Sequence, residues 1–201
     1  MNTVAKLFYW FEIVSILLSD ENSRNNLLIL DLDETLIGTV DFIGSDAWFC
    51  KEQEEIKKNA RNRRFYTLED LIEYNNAHLS SYRYELVDDK IPIYLKELAN
   101  CHDIYILTAR DIGTRVDTEK QIEELGLTKY IKSIIYCDGR HKGQCLQEAL
   151  DMDKYDTINF VDDKQYNIDA VIDIFPRVRG FGLNLRPKAK LFLLKSSRDI
   201  G

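Results

Sequence analysis

Five short apolar runs recur along this chain, and three of them lead straight into residues that carry chemistry. Leu27-Leu28-Ile29-Leu30 runs into Asp31-Leu32-Asp33-Glu34-Thr35-Leu36, and Ile104 to Leu107 into Thr108-Ala109-Arg110-Asp111. Ser133 to Tyr136 precedes Cys137-Asp138-Gly139, and Thr157 to Val161 ends in Asp162-Asp163. Val178 to Leu183 is the fifth. A short continuous apolar run bounded by turn signals fits a strand buried on both faces of a parallel sheet. Helical patterns lie between the runs: Pro92 to Ala99, Thr114 to Leu125, Lys142 to Leu150 and Gln165 to Ile172. Proline suits the first turn of the first of these. In the second, Val116, Ile122 and Leu125 read as apolar positions and Gly126 as the stop. Strands alternating with helices predict an α/β fold with a doubly wound parallel sheet, joined by right-handed crossovers.

The stretch from Thr39 to Lys90 breaks this rhythm. It is rich in charge and in aromatics, among them Trp48, Phe49, Phe65, Tyr66, Tyr74, Tyr82 and Tyr84. Thr67-Leu68-Glu69-Asp70 has the form of a helix start, with Thr67 as cap and Asp70 at the third position. We read residues 39–90 as a helical cap inserted after the first strand, and residues 1–38 and 91–201 as the core domain.

The N-terminal segment Leu7 to Leu18 is strongly apolar and follows Lys6. A buried helix ended by the polar run Ser19 to Asn26 is one reading. The hydrophobic region of a signal peptide is the other. Glu12 in its middle and the absence of a small-residue cleavage site favour the helix, and the segment is too short to span a bilayer. The four cysteines form no CxxC pair. Cys101 and Cys137 each adjoin a predicted strand, so buried free thiols in a reducing, cytoplasmic setting are expected, with secretion as the alternative if residues 7–18 act as a signal. With 27 Lys and Arg against 34 Asp and Glu, the net charge is −7, which argues against nucleic-acid binding.

The polar signals all fall at the carboxyl ends of predicted strands, where open α/β sheets bind ligands. Acidic clusters and a lysine, Lys142, would converge there and repel without a cation. Hard oxygen donors favour Mg²⁺. Carboxylates with Mg²⁺, Lys and Thr describe a site for phosphoryl transfer.

Asp31-x-Asp33-x-Thr35-Leu36 resembles the first motif of the haloacid dehalogenase-like (HAD) phosphatases. Thr108, Lys142 and Asp162-Asp163 resemble the second, third and fourth, in the same order and each on its expected element. Ser45-Asp46-Ala47-Trp48-Phe49, Leu107-Thr108-Ala109-Arg110 and His141-Lys142-Gly143 together resemble a HAD-like family of unknown function. The resemblance implies a Rossmann-like HAD core and a set of roles. Asp31 would be the nucleophile, forming an aspartyl-phosphate, and Asp33 the general acid and base. Asp31, the Asp33 carbonyl and Asp162 would hold Mg²⁺. Thr108, the Ala109 N–H and Lys142 would bind phosphate. Asp163 would hold a metal-bound water or orient Lys142. Dehalogenases of this superfamily lack the second aspartate, so Asp33 implies phosphate-ester hydrolysis, on a phosphorylated small molecule. A phosphotransferase or mutase on the same core is an alternative, as is a catalytically silent binding protein.

Blander readings stand beside these. Asp at a strand end often makes a turn, Thr108 alone is a helix cap, and a lone lysine is usually solvated. Ser45, Asp46, Trp48 and Arg110 are candidate substrate contacts, yet Trp in an aromatic-rich segment is more often core and Asp46 more often a cap. The basic run Lys57, Lys58, Arg61, Arg63 and Arg64 reads first as a solvated face, balanced by Glu52, Glu54 and Glu55. His141 is the only histidine placed near the site.

Overall fold

A computed structural model describes residues 5–19 and 25–183. Six strands form one sheet in the order β1-β8-β7-β2-β5-β6, and every pairing in it is parallel. They are β1 (Ala5–Phe8), β2 (Asn26–Leu30), β5 (His102–Thr108), β6 (Ser133–Tyr136), β7 (Thr157–Asp162) and β8 (Arg179–Leu183). The five apolar runs therefore supply five of the six strands.

Side chains alternate across a strand, and β2 shows what that means for a central one. Leu28 and Leu30 join one apolar cluster, while Leu27 and Ile29 join another on the opposite face. The first face is covered by α1 (Trp10–Ser19) and α4 (Ile91–Leu98), through Trp10, Ile13, Leu17, Ile91, Leu95 and Leu98. The same cluster takes Ile122 from α5 (Arg115–Glu124). The second face is covered by α6 (Lys142–Ala149) and α7 (Gln165–Ile174), through Cys145, Leu146, Ile168 and Val171. The result is a three-layer α/β/α core with β2 in the middle.

The N-terminal segment is not one helix. Its first residues form β1, which pairs with β8 at the sheet edge, and the helix begins only at Trp10. From there it behaves as a core helix, with Trp10 fully buried and Tyr9, Phe11 and Leu18 exposed. Residues 20–24 of the polar run lie outside the described residues. Among the described residues, no helix is long and apolar enough to cross a membrane. Val116 corrects an expectation: it is 77% exposed, and Thr118, Gln121 and Ile122 face inward instead. Cys101 corrects another, being exposed, whereas Cys137 and Cys145 are buried; all are free thiols.

The stretch between the first and second strand-end motifs leaves the sheet through a small antiparallel ribbon. Strand β3 (Ile37–Thr39) pairs with β4 (Tyr84–Leu86). Outside the ribbon, α2 (Asp46–Lys57) and α3 (Leu68–His78) pack around their own apolar cluster of Trp48, Phe65 and Leu71. Thr67 and Asp70 form the capping box that their spacing implied. Gly44, just before α2, sits at φ +88°, and a Cβ there would lie 2.6 Å from the Tyr82 ring, so only glycine fits this entry turn. The basic run is partly drawn into packing. Lys58 pairs with Glu54, and Arg64 lies over the rings of Phe65 and Tyr74.

Candidate active site

Strand β2 ends at Leu30, and the next residue, Asp31, still donates its N–H to the Val161 carbonyl of β7 at 2.9 Å. The chain then turns sharply. Leu36 and Ile37 both return their N–H groups to the Leu32 carbonyl, and Glu34 adopts φ +57°. This turn points Asp31 inward and leaves Asp33 half-exposed. Thr35 donates its hydroxyl to the Asp31 carboxylate at 3.2 Å, and the buried Trp10 indole N–H fixes the Thr35 carbonyl at 2.9 Å.

Lys142 is the hub. It begins α6, is 2% exposed, and extends its ammonium between two buried carboxylates, Asp31 and Asp162. The Asp162 contact is 2.7 Å. Asp162, the last residue of β7, is completed by Asn167 in the first turn of α7, at 3.1 and 3.0 Å, and by the Lys164 N–H at 2.8 Å. A buried ion cluster needs its charges paired and its remaining lone pairs hydrogen-bonded; here one ammonium serves two carboxylates, and Thr35, Asn167 and the Lys164 N–H take further lone pairs. Burial pushes the Asp31 carboxyl up, to about 8, against the pull of Lys142. Burial also works against the Lys142 charge, but Asp31 and Asp162 outweigh it and raise the ammonium above its ordinary value.

One oxygen from each of Asp31, Asp162 and Asp163 lies within 4.8 Å of the others. Around them the site is short of positive charge. Burial, followed by Asp33, Asp46 and Asp163, raises Glu34 to about 7. Burial also raises Asp163 to about 7, against Lys164. An all-oxygen donor set with excess negative charge suits a hard divalent cation, so these residues fit Mg²⁺.

Thr108 ends β5, fully buried, with its hydroxyl accepting from the Arg110 N–H at 3.2 Å. The loop after it is tied to the loop after β6: Gly139 N–H donates to the Ala109 carbonyl at 2.9 Å and Asp138 N–H to that of Arg110 at 3.2 Å. The three segments at Asp31–Asp33, Lys142 and Asp162–Asp163 thus meet at the carboxyl edge, with Thr108–Arg110 beside them.

The other expected positions find different neighbours. Asp163 approaches Lys164 at 3.8 Å, while the acceptors of Lys142 are Asp31 and Asp162. Ser45 caps α2, accepting from Trp48 N–H at 3.1 Å, and Trp48 is buried in the cluster of the inserted segment. Asp46 reaches across to Lys164 at 2.6 Å. Arg110 grips Asp33 with two hydrogen bonds, at 2.9 and 2.7 Å. His141 precedes α6 without a side-chain capping bond. Sequence reasoning passed over Asn167, Lys164, Trp10, Thr118 and Gln121. Asn167 and Lys164 had a faint signal, as polar residues within five positions of Asp162. The others had none, because their partners at the site, Arg110 and Thr35, lie on other segments, 8 to 25 residues away.

The fold has counterparts among solved structures. A haloacid dehalogenase-like hydrolase from Streptococcus pneumoniae superposes with a TM-score of 0.55 at 14% identity, covering 87% of this chain and 98% of that one. A protein from Clostridium acetobutylicum, described as a predicted phosphatase, gives 0.58 at 14% identity, covering 84% and 98%. A HAD-superfamily protein from Bacillus subtilis bound to magnesium gives 0.51 at 14% identity, covering 77% and 86%. These likenesses show a HAD-like fold. The chain belongs to the family described as "Protein of unknown function (DUF2608)", whose sequence pattern matches residues 9–129 and 127–178. Among curated proteins none matches.

Proposed function

We propose that this protein is a Mg²⁺-dependent phosphohydrolase that cleaves a phosphate monoester through an aspartyl-phosphate on Asp31. The observation that carries the reading is the buried Lys142 ammonium bridging Asp31 and Asp162, with Asp163 alongside. A nucleophilic carboxylate must approach an anionic phosphoryl group, so its own charge has to be screened. Lys142 does this for Asp31.

An Asp31 oxygen attacks phosphorus. The ester P–O bond breaks, and the leaving oxygen takes a proton from Asp33. Water then attacks the aspartyl-phosphate and gives its proton to the Asp33 carboxylate. The P–O bond to Asp31 breaks, releasing inorganic phosphate and the free carboxylate. The Thr108 hydroxyl, the Ala109 N–H and Lys142 hold the transferring oxygens. Asp31, Asp162 and the Asp33 carbonyl would hold Mg²⁺, with Asp163 supporting a bound water. The ion would supply charge neutralisation at the phosphoryl group. The inserted segment, residues 39–90, acts as a cap that excludes water, which favours a small phosphorylated molecule as substrate. Asp46 is one of the segment's contacts with the core, through Lys164.

The test is phosphate release from an aryl phosphate and a panel of phosphorylated metabolites, with and without EDTA. Activity lost with EDTA and with Asp31→Asn is the expected result. Full activity in Asp31→Asn would refute the nucleophile, and transfer to an added alcohol without phosphate release would make the protein a phosphotransferase.

A further inference from the structure

Asp33 is fixed by a buried arginine. Arg110 is 7% exposed, and its Nε and Nη2 donate to the two Asp33 oxygens at 2.9 and 2.7 Å. Its Nη1 donates to Thr118 Oγ1 at 3.0 Å and to Gln121 Oε1 at 2.7 Å, both on α5. The guanidinium carbon lies 5.2 Å from the ring centroid of Tyr84, in the returning strand of the ribbon. Four of its five N–H groups are therefore engaged within the protein. An arginine so enclosed is poorly placed to bind a phosphate and well placed to orient a neighbour.

The chain of contacts continues. Gln121 uses its other end, Nε2, to donate to the Leu79 carbonyl at 3.0 Å. Leu79 begins the 3₁₀ turn that follows α3, in the inserted segment. An unbroken series of hydrogen bonds thus runs from the insert through Gln121 and Arg110 to the Asp33 carboxylate. An acid–base group works only within hydrogen-bond reach of the atom it serves, and a misplacement of about 1 Å costs about 100-fold.

We propose that Arg110 is a positioning residue that holds Asp33 where it serves the leaving oxygen, and that Gln121 makes this hold depend on docking of the inserted segment. The proposal rests on the phosphohydrolase reading. It separates two kinds of ester. An alkyl phosphate needs a proton delivered to its leaving oxygen, whereas 2,4-dinitrophenolate leaves as the anion.

The experiment is rapid-mixing single turnover of the full chain in Mg²⁺ on both esters, for wild type, Arg110→Gln, Arg110→Lys and Gln121→Ala. Amide exchange over residues 78–86 is followed in parallel. In Arg110→Gln, cleavage of the alkyl ester falls about 100-fold, and the single-turnover rate of dinitrophenolate release stays within roughly fivefold of wild type. Arg110→Lys, with its point charge in place of the fork, falls in between. Gln121→Ala slows the alkyl ester and speeds exchange over 78–86, and Arg110→Gln speeds that exchange too. Equal loss on both esters, or loss that saturating enzyme removes, overturns the positioning role. Unchanged exchange in Gln121→Ala overturns the link to the insert. A wild type that cleaves neither ester overturns the phosphohydrolase reading and the positioning role with it, while a wild type that cleaves both confines any failure to the proposal.

Discussion

Replacing Lys142 with methionine keeps the length of the side chain and removes the one ammonium lodged between Asp31 and Asp162. At 2.7 Å from Asp162, with an effective dielectric of about 20, each unit-charge attraction is about 6 kcal/mol before desolvation. Burying the ions returns much of that. What remains on deleting one partner is the cost of stranded charge, about 3–5 kcal/mol, against a total stability of about 5–15 kcal/mol. Thr35, Asn167 and the Lys164 N–H still donate to the two carboxylates and limit the damage. In urea, with a slope of about 2–3 kcal/mol/M, the midpoint in EDTA should fall by roughly 1–2 M. A divalent cation should restore a large part, since binding at 100 times Kd contributes about 2.7 kcal/mol. Lys96→Met on exposed α4 surface is the control, expected within about 0.5 kcal/mol of wild type. A Lys142→Met protein as stable as wild type without divalent ions would refute the claim that the two buried carboxylates depend on this lysine's charge.

Trp10→Ala should cost about 3–5 kcal/mol by thermal or denaturant melting, because the ring is fully buried and its N–H secures the Thr35 carbonyl; a loss below about 1 kcal/mol would mean that α1 is not part of the core. Gly143→Ala places a Cβ 2.3 Å from the Ala170 carbonyl oxygen, so α6 and α7 must separate, at about 1–3 kcal/mol in the same assay. Asp46→Ala breaks the contact of the insert with Lys164. Its partly exposed pair is worth under about 1 kcal/mol, so melting should barely move while protease cleavage within residues 40–83 speeds up; unchanged cleavage would show that the pair does not hold the insert.

Much of this architecture is written locally. Apolar runs of strand length predicted β2, β5, β6, β7 and β8, because a strand covered on both faces needs continuous apolar residues. The Thr67–Asp70 capping box is local too, its partners lying three residues apart. That the strand-end polar residues gather at one edge was legible for a related reason. A parallel sheet puts every strand's carboxyl end on one edge, so residues just past Leu30, Leu107 and Val161 are brought together once those strands align.

Other features had no local signature. The sequence pattern alone merged β1 with the following helix, since whether Ala5–Phe8 is strand or helix depends on pairing with β8, more than 170 residues away. Val116 looked apolar and therefore inward, but α5 turns Thr118 and Gln121 to the interior, where Arg110 needs acceptors. That arginine and Asp33 are 77 residues apart, and Lys142 and Asp31 are 111 apart. What the sequence determined was which residue types stand at each strand end, through periodicity and turn chemistry acting over a few residues. Which of those charges neutralise one another was decided by the crossovers that set the strand order, because a short-range ion pair exists only where the tertiary fold brings its two ends within a few ångströms.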